Sequence, residues 1–304
     1  MNLNIQNETA ELKAVVLGQA LSMGNKPSLA ETYDARSHES IKLGIYPGED
    51  LVDKEMTAFE QVLIKHRVEI LRPYLIPDCN QVFARDVGFV IEDKLIISNI
   101  IPAREGEQEA YKMLYDQVAF NKKFNLPEHA HVEGGDVVLY NDMIFVGLYT
   151  QEDYPQFKTA RTNFKAFNFL VDLFPHKHFI PLELKKHDSD PRQGILHLDC
   201  TFMPVNDTKA IIYKKGFKFQ KDYERLLDIF GQENIFEITQ EEMYAMNSNV
   251  FSISPNVVVS EERFTRLNKH MQEVWGMTVE AIPYHEISKM GGLLRCSTLP
   301  LIRK

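Results

Sequence analysis

Glu133-Gly134-Gly135-Asp136-Val137-Val138-Leu139-Tyr140-Asn141-Asp142-Met143-Ile144-Phe145-Val146 is the stretch whose reading settles the architecture. Two β-rich runs, Val137 to Tyr140 and Met143 to Val146, flank Asn141-Asp142, a pair that tolerates the positive φ of a tight hairpin turn. The spacing then predicts a helix over Arg161 to Leu173 and a closing strand at His178 to Pro181. Hairpin, helix and strand form one ββαβ module.

Outward in both directions the same order recurs. Upstream, Phe89 to Ile91 and Leu95 to Ser98 are joined by Glu92-Asp93-Lys94. A helix is predicted over Gly106 to Ala119, with Ala110, Tyr111, Leu114, Tyr115 and Val118 on one face. Downstream, Phe202 to Val205 and Ala210 to Tyr213 flank Asn206-Asp207, followed by a helix at Gln220 to Phe230 and a strand at Asn234 to Ile238. Val250 to Ile253 and Val257 to Val259 flank Ser254-Pro255-Asn256 and lead to a helix over Glu261 to Trp275 and a strand at Thr278 to Ile282. What remains is a strand at Leu12 to Gly18, a helix at Lys54 to Lys65 and a strand at Val68 to Leu71, one hairpin strand short. Thr298 to Arg303 supplies it if the chain closes on itself. The 304 residues divide into five units of about 61, each unable to bury its apolar face without neighbours. The expected fold is therefore α/β, a ring of five ββαβ units occupying 1–304 as a single catalytic domain.

Composition agrees with a packed globular chain. Apolar side chains make up 44% and charged ones 25%. Lys and Arg number 34 against 43 Asp and Glu, a net charge of −9, which disfavours nucleic acid or an anionic membrane surface and suits a small cationic ligand. No apolar run approaches the roughly 18 residues of a spanning helix, and Met1 to Ala10 is polar, so a cytoplasmic location is expected. The three cysteines, at 79, 200 and 296, form no CxxC pair, so any chemistry falls to one thiol. No HExxH, Walker loop or GxGxxG occurs, and neither metal nor nucleotide is expected. The composition allows a homodimer as well as a monomer.

In a five-unit ring, the segments just before each hairpin occupy equivalent places and can converge. They read Phe83-Ala84-Arg85-Asp86, Glu133-Gly134-Gly135-Asp136, His197-Leu198-Asp199, Asn247-Ser248-Asn249 and Gly291-Gly292-Leu293-Leu294-Arg295-Cys296. Singly, each has a plain alternative: a surface ion pair, a glycine turn, a core histidine, a buried thiol. Their shared position is the signal.

These motifs resemble the pentein superfamily of guanidino-group-modifying enzymes, which includes arginine deiminase, dimethylarginine dimethylaminohydrolase, agmatine deiminase and the amidinotransferases. The resemblance rests on Arg85-Asp86, on EGGD at 133–136, on HLD at 197–199 and on the terminal GG..RC ending at Cys296. It spans most of the chain in the family's order and implies a five-bladed αβ propeller. It also implies that Asp86 and Asp199 grip a planar guanidinium through charge-assisted pairs, with Asp136 and Asn247 as further substrate contacts. Cys296 would attack the central carbon as thiolate, His197 would protonate the departing nitrogen and then activate water, and Glu133 would orient that ring. No cofactor is implied.

Asp199 points toward an unsubstituted guanidinium, since typical dimethylarginine hydrolases lack the HxD pattern. The EGGD segment points to water rather than an amine as acceptor. The reading is a cysteine hydrolase of arginine or a relative, through a covalent amidino-thioether. Its rivals are an amidinotransferase, a dimethylarginine hydrolase and, last, a non-catalytic pentein. The arginine that deiminases often carry before the terminal glycines is Met290 here, which leaves Arg161, in a segment similar to their ERT, and then Arg295 as candidates for a substrate carboxylate. Ser22 to Asp50 has no sustained periodicity and is placed as a long loop, a candidate lid.

Overall fold

The computed structural model describes residues 1–304. Fifteen strands fall into five sheets of three, each an antiparallel pair plus a parallel third strand, with one arrangement repeated. β1 (Leu12–Leu17) and β2 (Glu69–Leu71) belong to the first; β3 (Gly88–Ile91), β4 (Lys94–Ile97) and β5 (Lys123–Asn125) form the second. β6 (Val137–Tyr140), β7 (Met143–Leu148) and β8 (His178–Glu183) form the third, and β9 (Phe202–Val205), β10 (Lys209–Ile212) and β11 (Ile235–Glu237) the fourth. β12 (Phe251–Ser254), β13 (Val257–Glu261) and β14 (Thr278–Ile282) complete the fifth. β15 (Thr298–Arg303) pairs antiparallel with β1, running from Leu12 opposite Arg303 to Leu17 opposite Thr298, and so closes the ring with the chain's last strand. The molecule is the α/β five-bladed propeller that the repeat predicts.

Local chemistry explains the hairpins. Asn141 and Asn206 take the predicted positive φ, at 54° and 58°, and Glu92 does the same at 55°. The hairpin strands are mostly buried, β3 and β9 along their whole length, because helices and neighbouring blades cover both faces. The helix Glu49–Lys65 turns Val52, Met56, Phe59 and Leu63 into the core, and Phe164–Leu173 begins where Asn163 accepts a hydrogen bond from the Ala166 N–H.

The second unit departs from the pattern. Instead of a helix over Gly106 to Ala119, the chain makes short turns at Pro102–Arg104, Gly106–Glu109 and Lys112–Tyr115. The Ala110 carbonyl is drawn out of helical register to accept from the Tyr74 N–H at 2.8 Å. Ser22 to Asp50 is not a bare loop either; it contains the helix Ala35–Lys42, capped where Asp34 accepts from the Ser37 N–H at 2.7 Å. The turns at Ala84–Val87, Gly134–Asp136 and Leu198–Cys200, each just before a hairpin, pack against one another. No helix is long and apolar enough to cross a membrane.

Candidate active site

Cys296 lies two residues before β15 and is 2% exposed. The Asn249 Nδ2 donates to its Sγ at 3.2 Å, while the Asn249 Oδ1 accepts from the N–H groups of Arg295 and Cys296 at 3.0 and 3.3 Å. One carboxamide thus fixes both the backbone and the sulfur. The Asp199 Oδ2 stands 3.8 Å from Sγ. Burial first, then the charges of Asp199 and Asp86, push the thiol well above its ordinary pKa, against the opposing Asn249 contact. A cation placed among these groups would reverse that balance.

His197 is fully buried, with Nε2 at 2.8 Å from the Glu133 Oε2 and Nδ1 at 3.7 Å from the Asp86 Oδ1. Burial alone lowers the imidazole's pKa; Asp86, Glu133 and Asp136 outweigh it and raise the value to about 9. The ring is therefore an imidazolium at neutral pH. Gly135 makes room for it: a Cβ there would sit 2.7 Å from the His197 Cγ. Both Glu133 oxygens accept from the Arg161 Nη1 at 2.8 Å, and this pairing, with His197, keeps the carboxyl ionised despite its burial. Asp136 accepts from the Leu198 N–H at 2.9 Å and from the Thr162 hydroxyl at 2.6 Å, so it holds the turn that carries His197.

Two arginines complete the frame. The Arg104 Nη1 donates to the Asp86 Oδ2 at 2.7 Å, and its remaining nitrogens engage both Glu107 oxygens at 2.8 Å. The Arg295 Nη1 donates to the Asp199 Oδ2 at 2.9 Å and its Nη2 to the Glu8 Oε1 at 2.8 Å. The Asp86 Oδ1 and His197 Nδ1 are left buried with no hydrogen-bond partner, which leaves one acceptor for a ligand's N–H group and one ring N–H free to give a proton. Asp86, Glu133 and His197 also lie close enough to share an ion, but Glu133 is already committed to Arg161 and His197.

Of the residues singled out in the sequence, Cys296, His197, Glu133, Asp86, Asp136 and Asp199 come together. Arg161 and Arg295 are present too, but as internal partners: Arg161 holds Glu133 and donates from Nη2 to the Tyr33 carbonyl at 2.7 Å. In Asn247-Ser248-Asn249 it is Asn249 that meets the sulfur; Asn247 lines a separate cavity. Position could have distinguished them, because Asp86, Asn249 and Cys296 each precede the first strand of a hairpin, or β15, by two residues. Arg104, Glu107 and Glu8 carried no such signal.

The segment at 22–50 is pinned beside this centre. Tyr33 is held by Arg161, the Ser37 hydroxyl donates to the Met290 carbonyl at 3.0 Å, and the Asp34 carboxylate packs where a Cβ on Gly291, at φ 92°, would come within 2.4 Å. Beside it opens a cavity of about 770 Å³ lined by Tyr33, Tyr46, Arg104, Glu107 and Lys158 among others. Arg104 links that cavity to Asp86.

A five-bladed ring that gathers a thiol, an imidazole and opposed carboxylates defines the class as the pentein guanidino-group-modifying enzymes. Within it the chain belongs to the N,N dimethylarginine dimethylhydrolase family, whose eukaryotic model matches residues 48–303. It is 27% identical over 300 residues to the uncharacterized protein YkgA of Bacillus subtilis (strain 168), covering 98% of this chain and 94% of that one. It is 25% identical over 324 residues to the arginine deiminase of Bacillus cereus (strain ATCC 10987 / NRS 248), covering 88% and 75%. The solved structure of SxtG, an amidinotransferase from Microseira wollei in the saxitoxin biosynthetic pathway, superimposes with a TM-score of 0.76 at 18% identity over 99% of this chain and 97% of that one.

Proposed function

We propose that this protein is a cysteine-dependent hydrolase of a guanidino compound, arginine or a close relative, releasing ammonia and a ureido product. The observation that carries the reading is the pair of unpartnered buried atoms, Asp86 Oδ1 and His197 Nδ1, in the same centre as the Asp199 carboxylate and the Cys296 sulfur. A guanidinium entering there would pair with Asp86 and Asp199 and, by its charge, lower the energy of the Cys296 thiolate. As the cation binds, the Cys296 thiol gives its proton to solvent, and the thiolate attacks the central carbon to give a tetrahedral adduct. The His197 imidazolium gives its proton to one nitrogen, which leaves as ammonia, and an amidino group stays bonded to sulfur. Neutral His197 then takes a proton from water, whose oxygen attacks the same carbon; the thiolate leaves and the ureido product forms. Glu133, fixed by Arg161, supports the charged ring, and Arg295 and Asp136 act as positioning residues. The tail of the substrate would extend into the cavity beside Arg104.

The test is product analysis with arginine, with and without glycine as acceptor. Ammonia and citrulline formed without an acceptor, lost together with haloacetamidine labelling in Cys296→Ser, supports hydrolysis. Ornithine formed only with the acceptor supports amidino transfer instead. Family membership favours one second reading, a dimethylarginine substrate that releases dimethylamine, and the same assay with that compound decides it.

A further inference from the structure

A second cavity, of about 290 Å³, lies outside the catalytic centre, between the Asn247 turn, the end of β13, the start of the helix Thr265–Glu273 and the short helix His285–Ser288. Two acceptors on its wall are buried and unused. Glu261 is 2% exposed; its Oε2 accepts from the Arg263 N–H at 2.9 Å, but its Oε1 has no hydrogen-bond partner. Asn247 is 3% exposed and its Oδ1 is likewise unpartnered. Orphaned buried acceptors on a cavity wall call for a ligand that brings N–H donors.

The charges around the cavity do not cancel internally. Arg266 is committed to Glu242, through Nε at 2.7 Å and Nη2 at 2.5 Å, so that pair is closed. Burial, with Arg263 nearby, lowers the pKa of His285. Arg263 makes only a long ion pair, with Glu261. Its side chain is 59% exposed, and its Nε stands 3.9 Å from the Glu261 Oε1, beyond hydrogen-bond distance. Ala245, Phe264 and Leu293 give the same cavity an apolar wall.

Unused acceptors, an exposed guanidinium with no hydrogen-bonded carboxylate and an apolar wall in one small cavity match the three parts of an aliphatic α-amino acid. We infer that this cavity binds a free α-amino acid with an aliphatic side chain. Its ammonium meets Glu261 Oε1 and Asn247 Oδ1, its carboxylate meets Arg263, and its side chain lies against Ala245, Phe264 and Leu293. Burial raises the pKa of Glu261, and the Arg263 backbone N–H and charge and the Tyr284 backbone only partly offset it. The site is independent of the reaction proposed above, since Glu261 and Arg263 take no part in it.

Isothermal titration calorimetry of the whole protein with L-leucine, L-alanine and methylammonium tests it. Leucine is expected to bind one to one at millimolar concentration or below. Glu261→Gln, which replaces the orphan acceptor by an amide of the same shape, and Arg263→Ala should each weaken it about tenfold or more. Arg263→Ala keeps the backbone N–H that anchors Glu261, so it decides the matter even if the Glu261 variant fails to fold. Absence of binding, or leucine affinity unchanged in Arg263→Ala, overturns the proposal, as does methylammonium binding as tightly as leucine.

Discussion

Asp199, Arg295 and Glu8 form one carboxylate–arginine–carboxylate clamp in the site, and Asp86, Arg104 and Glu107 form another, with contacts of nearly equal length. Their anchoring differs. Arg295 follows directly from the closure of the ring by β15, is 1% exposed, and also donates to the Val137 carbonyl at 2.7 Å. Arg295, with Arg85 and Arg303, overrides the burial of Glu8 and holds its pKa near 2. Arg104 instead stands on the interrupted stretch that replaces a helix, and both it and Glu107 line the larger cavity. Burial, with smaller repulsion from Asp86 and Glu133, raises the Glu107 pKa despite Arg104. The same three-group device is a strut on one side and, on the other, a wall of the open cavity.

If that contrast is right, Arg295→Met has the larger effect on stability. It strands two buried carboxylates, which costs about 3–5 kcal/mol, read as a shift of the urea midpoint. A loss below about 1 kcal/mol would remove the distinction. Arg104→Met should destabilise less, by about 1–2 kcal/mol, since Glu107 is already biased toward taking up a proton. Its kcat/KM should nevertheless drop on the order of 10²-fold, because Asp86 loses the partner that sets its orientation. Equal loss of stability in the two variants would show that the clamps are equivalent.

Two members of the strut, Asp199 and Arg295, were legible in the sequence, and one of the wall, Asp86. Cys296, Asp199, His197, Glu133 and Asp86 could be read because ring closure gives the residues before each hairpin a common place, and the hairpins announce themselves through Asn141, Asn206 and β-rich flanks. Arg161 and Arg295 were legible as functional arginines but not in their partners, since a sequence does not say which carboxylate a guanidinium will meet. Glu8 sits in a polar leader with no periodicity, and Arg104 and Glu107 lie where helical spacing was misleading. The Ala110, Tyr111 and Tyr115 stripe is indeed buried, yet Tyr74 captures the Ala110 carbonyl and breaks the helix that the stripe suggests. Asn249 was within reach, had the two-residue offset of Asp86 and Cys296 been applied to its unit.

The smallest effects should separate the outer carboxylates by the sign of their pH dependence. The folded-state pKa of Glu8 lies below its ordinary value of 4.5, so its contribution is present above 4.5 and is lost as pH falls toward about 2. The folded-state pKa of Glu107 lies above 4.5, so the folded protein binds the proton more tightly, and stability falls as pH rises through the interval above 4.5. Glu8→Gln should therefore flatten the acid limb of the stability profile. Glu107→Gln should leave that limb in place and remove a decline on the other side of 4.5. Urea denaturation of both variants across that range reads the difference directly. Profiles that bend in the same direction would mean that Glu107 is held as firmly ionised as Glu8, and the cavity-side clamp would then be a second strut.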